Sequence, residues 1–319
     1  MSVWLDPEWR AGADGWIGEQ LGGLGLEPVA AFDQVHDRPW STVIRVQTQV
    51  GNVFFKAVAP PLRHEAALTE LLGSRRPDCI PPPLAIDRER GWMLMEDGGH
   101  TLRELIAVER NLGRWADVLP LYASVQVDLT GDAAELLAIG VPDLRLEVLP
   151  AKVEAILDEI VDLPDDERRR LVGSLPWVRE ACEELAAAGI PETIQHDDLH
   201  DAQVFVRDGR YRLLDWGDAC VSHPFFSLAV TLDGVISWGV DDVEESEPTE
   251  PFRDAYLEPF RGRTASDLVA LSTIARRLGW LCRAVNSRLS QPSDESTRLR
   301  LRMFLDGRAS MVDETPGGG

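Results

Sequence analysis

Between residues 42 and 58 apolar and polar positions alternate in two short runs. Thr42-Val43-Ile44-Arg45-Val46-Gln47-Thr48 and Val53-Phe54-Phe55-Lys56-Ala57-Val58 each read as a strand, and Gly51-Asn52 reads as the turn of a hairpin. From Arg63 to Leu72 the pattern changes to a helical one, with Leu68, Leu71 and Leu72 on one stripe. Pro81-Pro82-Pro83 ends that unit. Leu84-Ala85-Ile86 and Trp92-Met93-Leu94-Met95 then read as two further strands around a turn at 87–91. The expected order is strand, strand, helix, strand, strand. Glu96-Asp97-Gly98-Gly99 reads as a linker, because paired glycines remove backbone restriction.

After residue 100 the pattern is helical. Thr101 is placed to cap a helix over 102–109, with Glu104 three residues on. Leu/Ala/Glu-rich stretches follow at 114–138, 147–161, 165–173 and 177–188, and two more helical stretches at 265–289 and 294–306. Between these blocks lies one short β segment, 193–216. The acidic run Asp241-Asp242-Val243-Glu244-Glu245-Ser246-Glu247 reads as a surface loop, and the tail from Glu314 to Gly319 as frayed.

Composition narrows the class. The 319 residues carry 32 Lys+Arg against 54 Asp+Glu, a formal charge of −22. That excess disfavours nucleic acid and anionic membranes as partners, since both reward cationic side chains, and it leaves room for a cationic ligand. No apolar run approaches the ~20 residues that span a bilayer. No secretory signal is read at the N-terminus, and the four cysteines (Cys79, Cys182, Cys220, Cys282) match neither a disulfide framework nor a zinc spacing. A reduced, cytoplasmic setting is expected.

The segment richest in chemistry runs from Ile194 to Asp218. His196-Asp197-Asp198-Leu199-His200-Asp201-Ala202-Gln203 gathers two histidines and three aspartates. The stretch Val204 to Leu213 follows, with Asp208-Gly209 as a strong two-residue hairpin turn, and then Leu214-Asp215-Trp216-Gly217-Asp218. Carboxylates gathered at strand ends suit Mg²⁺, a hard cation that prefers oxygen. Taken singly, Asp198 and Asp215 could equally cap a turn and a strand end, and Lys56 could guard a strand edge.

The run resembles the aminoglycoside phosphotransferase and choline kinase-like family, whose members usually show H-G-D-L-H-x-x-N, a short hairpin and then I-D-W/F. The layout matches over roughly residues 25–290, and the 194–218 segment carries the specific match. The resemblance implies an α+β, two-lobed protein-kinase-like fold. A small antiparallel-sheet lobe (1–97) would bind the nucleotide, and a larger, mostly helical lobe (98–319) would carry the catalytic loop and acceptor site. It implies an ATP-dependent phosphotransferase, with Mg²⁺, acting on a hydroxyl of a small molecule. The alternative is a kinase-like nucleotide-binding protein with impaired turnover.

The same resemblance assigns roles. Asp198 would orient the acceptor hydroxyl and take its proton. Asp197 stands where glycine is usual and is expected to be exposed, while His196 and His200 would order the loop. Asp215 and Gln203 would hold metal, Gln203 standing where the family has asparagine. Lys56 would meet the nucleotide phosphates and a helix glutamate, Glu65 or else Glu70. No glycine-rich loop precedes Lys56; the turn 36–42 stands there, with Ser41 and Thr42 as phosphate-binding candidates. Met93 to Asp97 would be the hinge, its backbone groups and Glu96 at the adenine, with Met95 or Met93 packing on the ring face. Asp218, the 241–247 loop and the net charge would suit a cationic acceptor such as an amino sugar or aminoglycoside, or else these carboxylates simply face water. Ser227 stands where an aspartate is common. Trp238 and Trp280 are core residues or sugar-pocket walls.

Overall fold

The computed structural model describes residues 3–262, 267–290 and 293–307. The tail at 314–319, read as frayed, lies outside them. Contacts divide the chain into two units, Met1–His100 with Phe205–Gly217, and Thr101–Val204 with Asp218–Gly319. A linear cut after residue 97 misses one feature of this division: the hairpin segment groups with the first unit.

The first unit is built on a five-stranded sheet: β1 (Asp33–Arg38), β2 (Ser41–Thr48), β3 (Gly51–Val58), β4 (Ala85–Asp87) and β5 (Trp92–Glu96). Its spatial order is β1-β2-β3-β5-β4, and every pair is antiparallel. The β2–β3 ladder pairs Thr48 with Gly51, so the turn is Gln49-Val50 and Gly51-Asn52 already belongs to a strand. Alternation then sends Ile44, Val46, Val53, Phe55 and Ala57 to one buried face. Helix α1 (Pro7–Gly23) covers that face with Trp16, Ile17 and Leu21. Helix α2 (His64–Arg75) follows β3.

Two of these elements, α1 and β1, were not expected. Five glycines in α1 hide its helical pattern, and the legible signal is its start: Asp6 accepts from the Glu8 and Trp9 amides, with Pro7 in the first turn. The segment read as a turn at 36–42 is mostly strand, with only Pro39-Trp40 between β1 and β2.

Gly98-Gly99 is a docking point as well as a connection. Gly99 has φ +93, and a Cβ there would lie 2.3 Å from the Val206 carbonyl oxygen. Only glycine lets the two backbones approach so closely. Past β6 (His100–Thr101), the chain enters the second unit at α3 (Leu102–Glu109). Thr101 and Glu104 form the reciprocal capping box that their spacing announced.

The second unit is mainly helical: α4 (Trp115–Asp128), α5 (Ala133–Ala138), α6 (Leu149–Glu159), α7 (Asp165–Ala187), α8 (Glu250–Leu257), α9 (Leu268–Ser290) and α10 (Asp294–Asp306). The stretches 165–173 and 177–188 are one helix, which carries Pro176 in its interior. Two short strands, β7 (Thr193–Gln195) and β10 (Cys220–Ser222), pair antiparallel on either side of the hairpin β8 (Val204–Arg207) and β9 (Arg210–Leu213) in sequence. Asp208 and Gly209 both take positive φ, 53° and 72°, which is the backbone a tight two-residue turn needs. Helix α9 packs on α10 and on the turn Pro224–Ser227. Gly279 permits the second contact, since a Cβ there would sit 2.6 Å from the Phe226 oxygen.

Candidate active site

In the first unit three charges meet at one point. Lys56, on β3, places its Nζ 2.6 Å from Glu65 Oε1 and 2.6 Å from Asp215 Oδ1. Glu65 stands in the first turn of α2, where the helix dipole favours a carboxylate, and it is fully buried. Asp215 follows β9 with φ +63, and its side chain is 45 % exposed. Burial alone would weaken the Lys56 ammonium; the charges of Asp215 and Glu65 reverse that and hold its pKa above the ordinary lysine value. The cluster contains two carboxylates for one cation, and Asp215 is the member water can reach.

The second unit carries the histidine- and aspartate-rich loop. Its start is fixed from below: the His196 amide donates to the Tyr122 hydroxyl at 2.9 Å, and that hydroxyl shares a 2.7 Å hydrogen bond with Ser227. Ser227, in the aspartate position of the resembling pattern, thus anchors the loop through a tyrosine. The Leu199 carbonyl accepts from Thr231 Oγ1 at 2.7 Å, and Arg103 grips Asp201 through Nε (2.9 Å) and Nη2 (2.7 Å).

Asp197 corrects an expectation. It is 1 % exposed, not solvated, although its φ of +64 is the conformation a glycine would supply. Its carboxylate accepts from Gln195 Nε2 at 2.9 Å and Asn286 Nδ2 at 2.8 Å. Burial pushes its pKa up to about 6, against the opposing pull of Arg283 and Asn286.

Arg283 was not anticipated. This side chain of α9 is 5 % exposed and reaches three carboxylates: Asp198 at 2.7 Å, Asp218 at 3.0 Å and Asp197 at 3.5 Å. Burial opposes its charge, and the three aspartates outweigh that and raise its pKa. The guanidinium fork therefore fixes the direction of Asp198. On the other side of Asp198, His200 Nε2 lies 3.8 Å from Oδ2. His200 Nδ1 accepts from the Ala202 amide, so the neutral ring carries its proton on Nε2. The signal that could have found Arg283 is local: Arg283 and Asn286 stand one turn apart in the otherwise apolar stripe of Leu278, Leu281 and Cys282.

A cavity of about 300 Å³ opens beside Asp198 within this unit. Val230, Val235, Trp280, Leu299 and Met303 form its apolar wall. Its polar members are Asp198, His200 and three arginines, Arg103, Arg283 and Arg300. Trp280 thus lines a cavity while being 8 % exposed; Trp238, also buried, and the exposed 241–247 loop are not among its lining residues.

Other expected residues sit as follows. Thr42 Oγ1 donates to the His36 carbonyl (2.7 Å) and accepts from Gln34 Nε2 (2.9 Å), so this hydroxyl serves the sheet. Ser41 is 5 % exposed, with Oγ 3.4 Å from His36 Nε2. Met95 and Glu96 close β5, opposite Phe54 and Val53. Glu70 pairs with Arg88 at the surface, so Glu65 is the partner of Lys56.

Gln203 and Asp215 belong to different units. As donors, both offer the hard oxygen that Mg²⁺ takes. Asp215 fits that role through its exposed carboxylate. The Gln203 amide nitrogen, Nε2, lies 3.4 Å from His200 Nε2, and its amide oxygen is the hard donor atom.

A β-sheet unit bearing a clamped lysine and a helical unit bearing an arginine-held aspartate loop together define a kinase-like phosphotransferase class. The chain belongs to the phosphotransferase enzyme family: that family model matches residues 36–267. Solved structures agree in fold. A choline/ethanolamine kinase family protein from Mesorhizobium loti aligns with a TM-score of 0.61 and 17 % identity over 95 % of each chain. Choline kinase from Cryptosporidium parvum aligns at 0.60 and 10 %, over 89 % of this chain and 90 % of that one. A ternary complex of streptomycin, ATP and APH(2″)-IIa aligns at 0.59 and 15 %, over 96 % and 98 %. No curated protein matches the sequence. Among the described residues no helix is long and apolar enough to cross a membrane.

Proposed function

We propose that this protein transfers the γ-phosphoryl group of ATP to a hydroxyl of a small molecule, with Mg²⁺ as the companion ion, in the cytoplasm. The bond from the γ-phosphorus to the bridging oxygen breaks, a bond to the acceptor oxygen forms, and ADP leaves. Asp198 orients the acceptor hydroxyl and receives its proton, a role worth roughly 10²–10⁴-fold in rate. Arg283 positions Asp198. Lys56, held by Glu65, serves the nucleotide phosphates. Asp215 would offer a carboxylate oxygen to a cation, and Gln203 would offer an amide oxygen. Bound Mg²⁺ would neutralise charge on the phosphates.

The observation that carries this reading is the 2.6 Å clasp of Lys56 by both Glu65 and Asp215, residues 9 and 159 positions away in sequence. A buried lysine spanning that separation has been placed there by the fold, and phosphate binding explains both partners. The test is a panel of amino sugars, aminoglycosides, cholines and hydroxy acids incubated with Mg-ATP and read by mass spectrometry. A product heavier by one phosphoryl group, absent with Asp198→Ala, is expected; phosphorylation that survives Asp198→Ala removes the assignment.

A further inference from the structure

The cavity beside Asp198 has the opposite electrical character to the chain. The protein carries 54 acidic residues, yet Asp198 is the one carboxylate lining this cavity among the described residues, against three arginines. Two of those arginines are spent on neighbours. Arg103 is forked onto Asp201, and Arg283 is shared by Asp197, Asp198 and Asp218.

Arg300 differs. It projects from α10, is half-buried, and donates to the Ser296 carbonyl at 2.8 Å. No carboxylate lies within ion-pair distance of it among the described residues. Burial, and after it the charge of Arg283, lower the Arg300 pKa to about 10, against the opposing pull of Asp198, Asp218 and Asp197, which Arg283 already holds. Arg300 remains cationic at neutral pH, in a cleft where a guanidinium is poorly hydrated. An incoming anion is what this site lacks. The apolar lining, Val230, Val235, Trp280, Leu299 and Met303, offers no polar side chain other than the Trp280 indole N–H.

We propose that the acceptor is a small hydroxyl compound with an apolar body and one acidic group, the acid received by Arg300 and the body by the Trp280 wall. This rests on the reading that Asp198 takes the acceptor's proton, and it reverses the cationic acceptor that the net charge suggested. Total charge describes the solvated surface; the cavity is set by a few side chains on α9 and α10.

The test uses a matched triad on the full chain with Mg-ADP bound: 3-phenyllactate, its neutral amide, and the amino alcohol 1-amino-3-phenyl-2-propanol. Binding is measured by calorimetry, and phosphorylation with Mg-ATP by mass spectrometry. The carboxylate should bind about tenfold more tightly than the amide, the difference expected for a charge-assisted pair. Arg300→Gln should reduce that ratio to about twofold with Mg-ADP affinity retained, and Arg300→Glu should turn the preference toward the amine. Equal or tighter binding of the amine to the unaltered protein overturns the proposal. So does a ratio that Arg300→Gln leaves unchanged, or the absence of binding by all three. The two readings fail separately. Phosphorylation that favours the amine removes the anion site and keeps the kinase. Arg300-dependent preference for the acid in a protein that binds no Mg-nucleotide keeps the anion site and removes the kinase.

Discussion

The two units each hold a buried cation among carboxylates, but they do so differently. In the first, the compact ammonium of Lys56 meets two carboxylates, one fully buried and one 45 % exposed. In the second, the planar guanidinium of Arg283 meets three, and the closest is Asp198. An ammonium is a point charge that can shift toward a new anion; a fork with several fixed donors holds direction. The first cluster therefore suits a ligand whose phosphates come and go, and the second suits a carboxylate whose aim must not drift. The first cluster holds two carboxylates for one cation, which leaves it receptive to further positive charge; in the second, Arg300 adds a further cation beside Asp198.

The largest test of this contrast is removal of each cation. Arg283→Met strands three aspartates, one of them buried, and should cost about 3–5 kcal/mol in denaturant unfolding. Lys56→Met should cost less, because Asp215 can turn to water and only Glu65 is stranded. A larger loss for Lys56→Met would break the comparison.

Asp197 gives the next effect, and its sign follows from its raised pKa. The folded protein binds this proton up to about pH 6, whereas an unfolded aspartate releases it near 3.8. The contribution is therefore fully present below the unfolded value and is lost as pH rises through 6, up to about 3 kcal/mol in the limit of complete linkage. Unfolding free energies of the protein and of Asp197→Asn should converge or cross as pH rises from 4 to 7, the unaltered protein losing ground. A gap that moves the other way would show that Arg283 and Asn286, not burial, dominate this carboxyl.

Gln203→Asn should have a smaller effect. The shorter side chain keeps an amide oxygen for the cation, so the Mg²⁺ concentration for half-maximal activity should stay the same or fall. Complete loss of Mg²⁺ use would show that the longer side chain is required. The smallest effect concerns the scaffold of the first unit. Gly15 lies on the open face of α1 with nothing within 4 Å of an added Cβ, so Gly15→Ala should stabilise by about 0.5–1 kcal/mol in thermal or chemical unfolding.

Local signals in the sequence were faithful where the physics is local. The Thr101 capping box, the Asp208-Gly209 turn and the strands around Lys56 each depend on neighbours a few residues away, and each stands in the structure, the turn between the two strands falling at Gln49-Val50 and not at Gly51-Asn52. Helix α1 was hidden because its glycines lower helix propensity, while burial of Trp16, Ile17 and Leu21 on the sheet compensates, and burial is not a local property. Asp197 was read as exposed because a charged residue in a glycine position is normally solvated; the partners that bury it, Arg283 and Asn286, lie near the end of α9. Arg300 was illegible for a related reason. On the sequence it is one of several arginines in α10, and only packing separates it from Arg298 and Arg302, which pair with Glu167.

The most direct test of the central claim separates nucleotide binding from transfer at Asp198. Asp198→Asn keeps the side chain's shape and removes its capacity to take a proton. Mg-ATP affinity should stay within about threefold of the unaltered protein, while single-turnover phosphorylation of an acceptor falls at least ~100-fold. An Asp198→Asn protein that transfers phosphate at the original rate would contradict the role given to this aspartate and to the arginine that holds it.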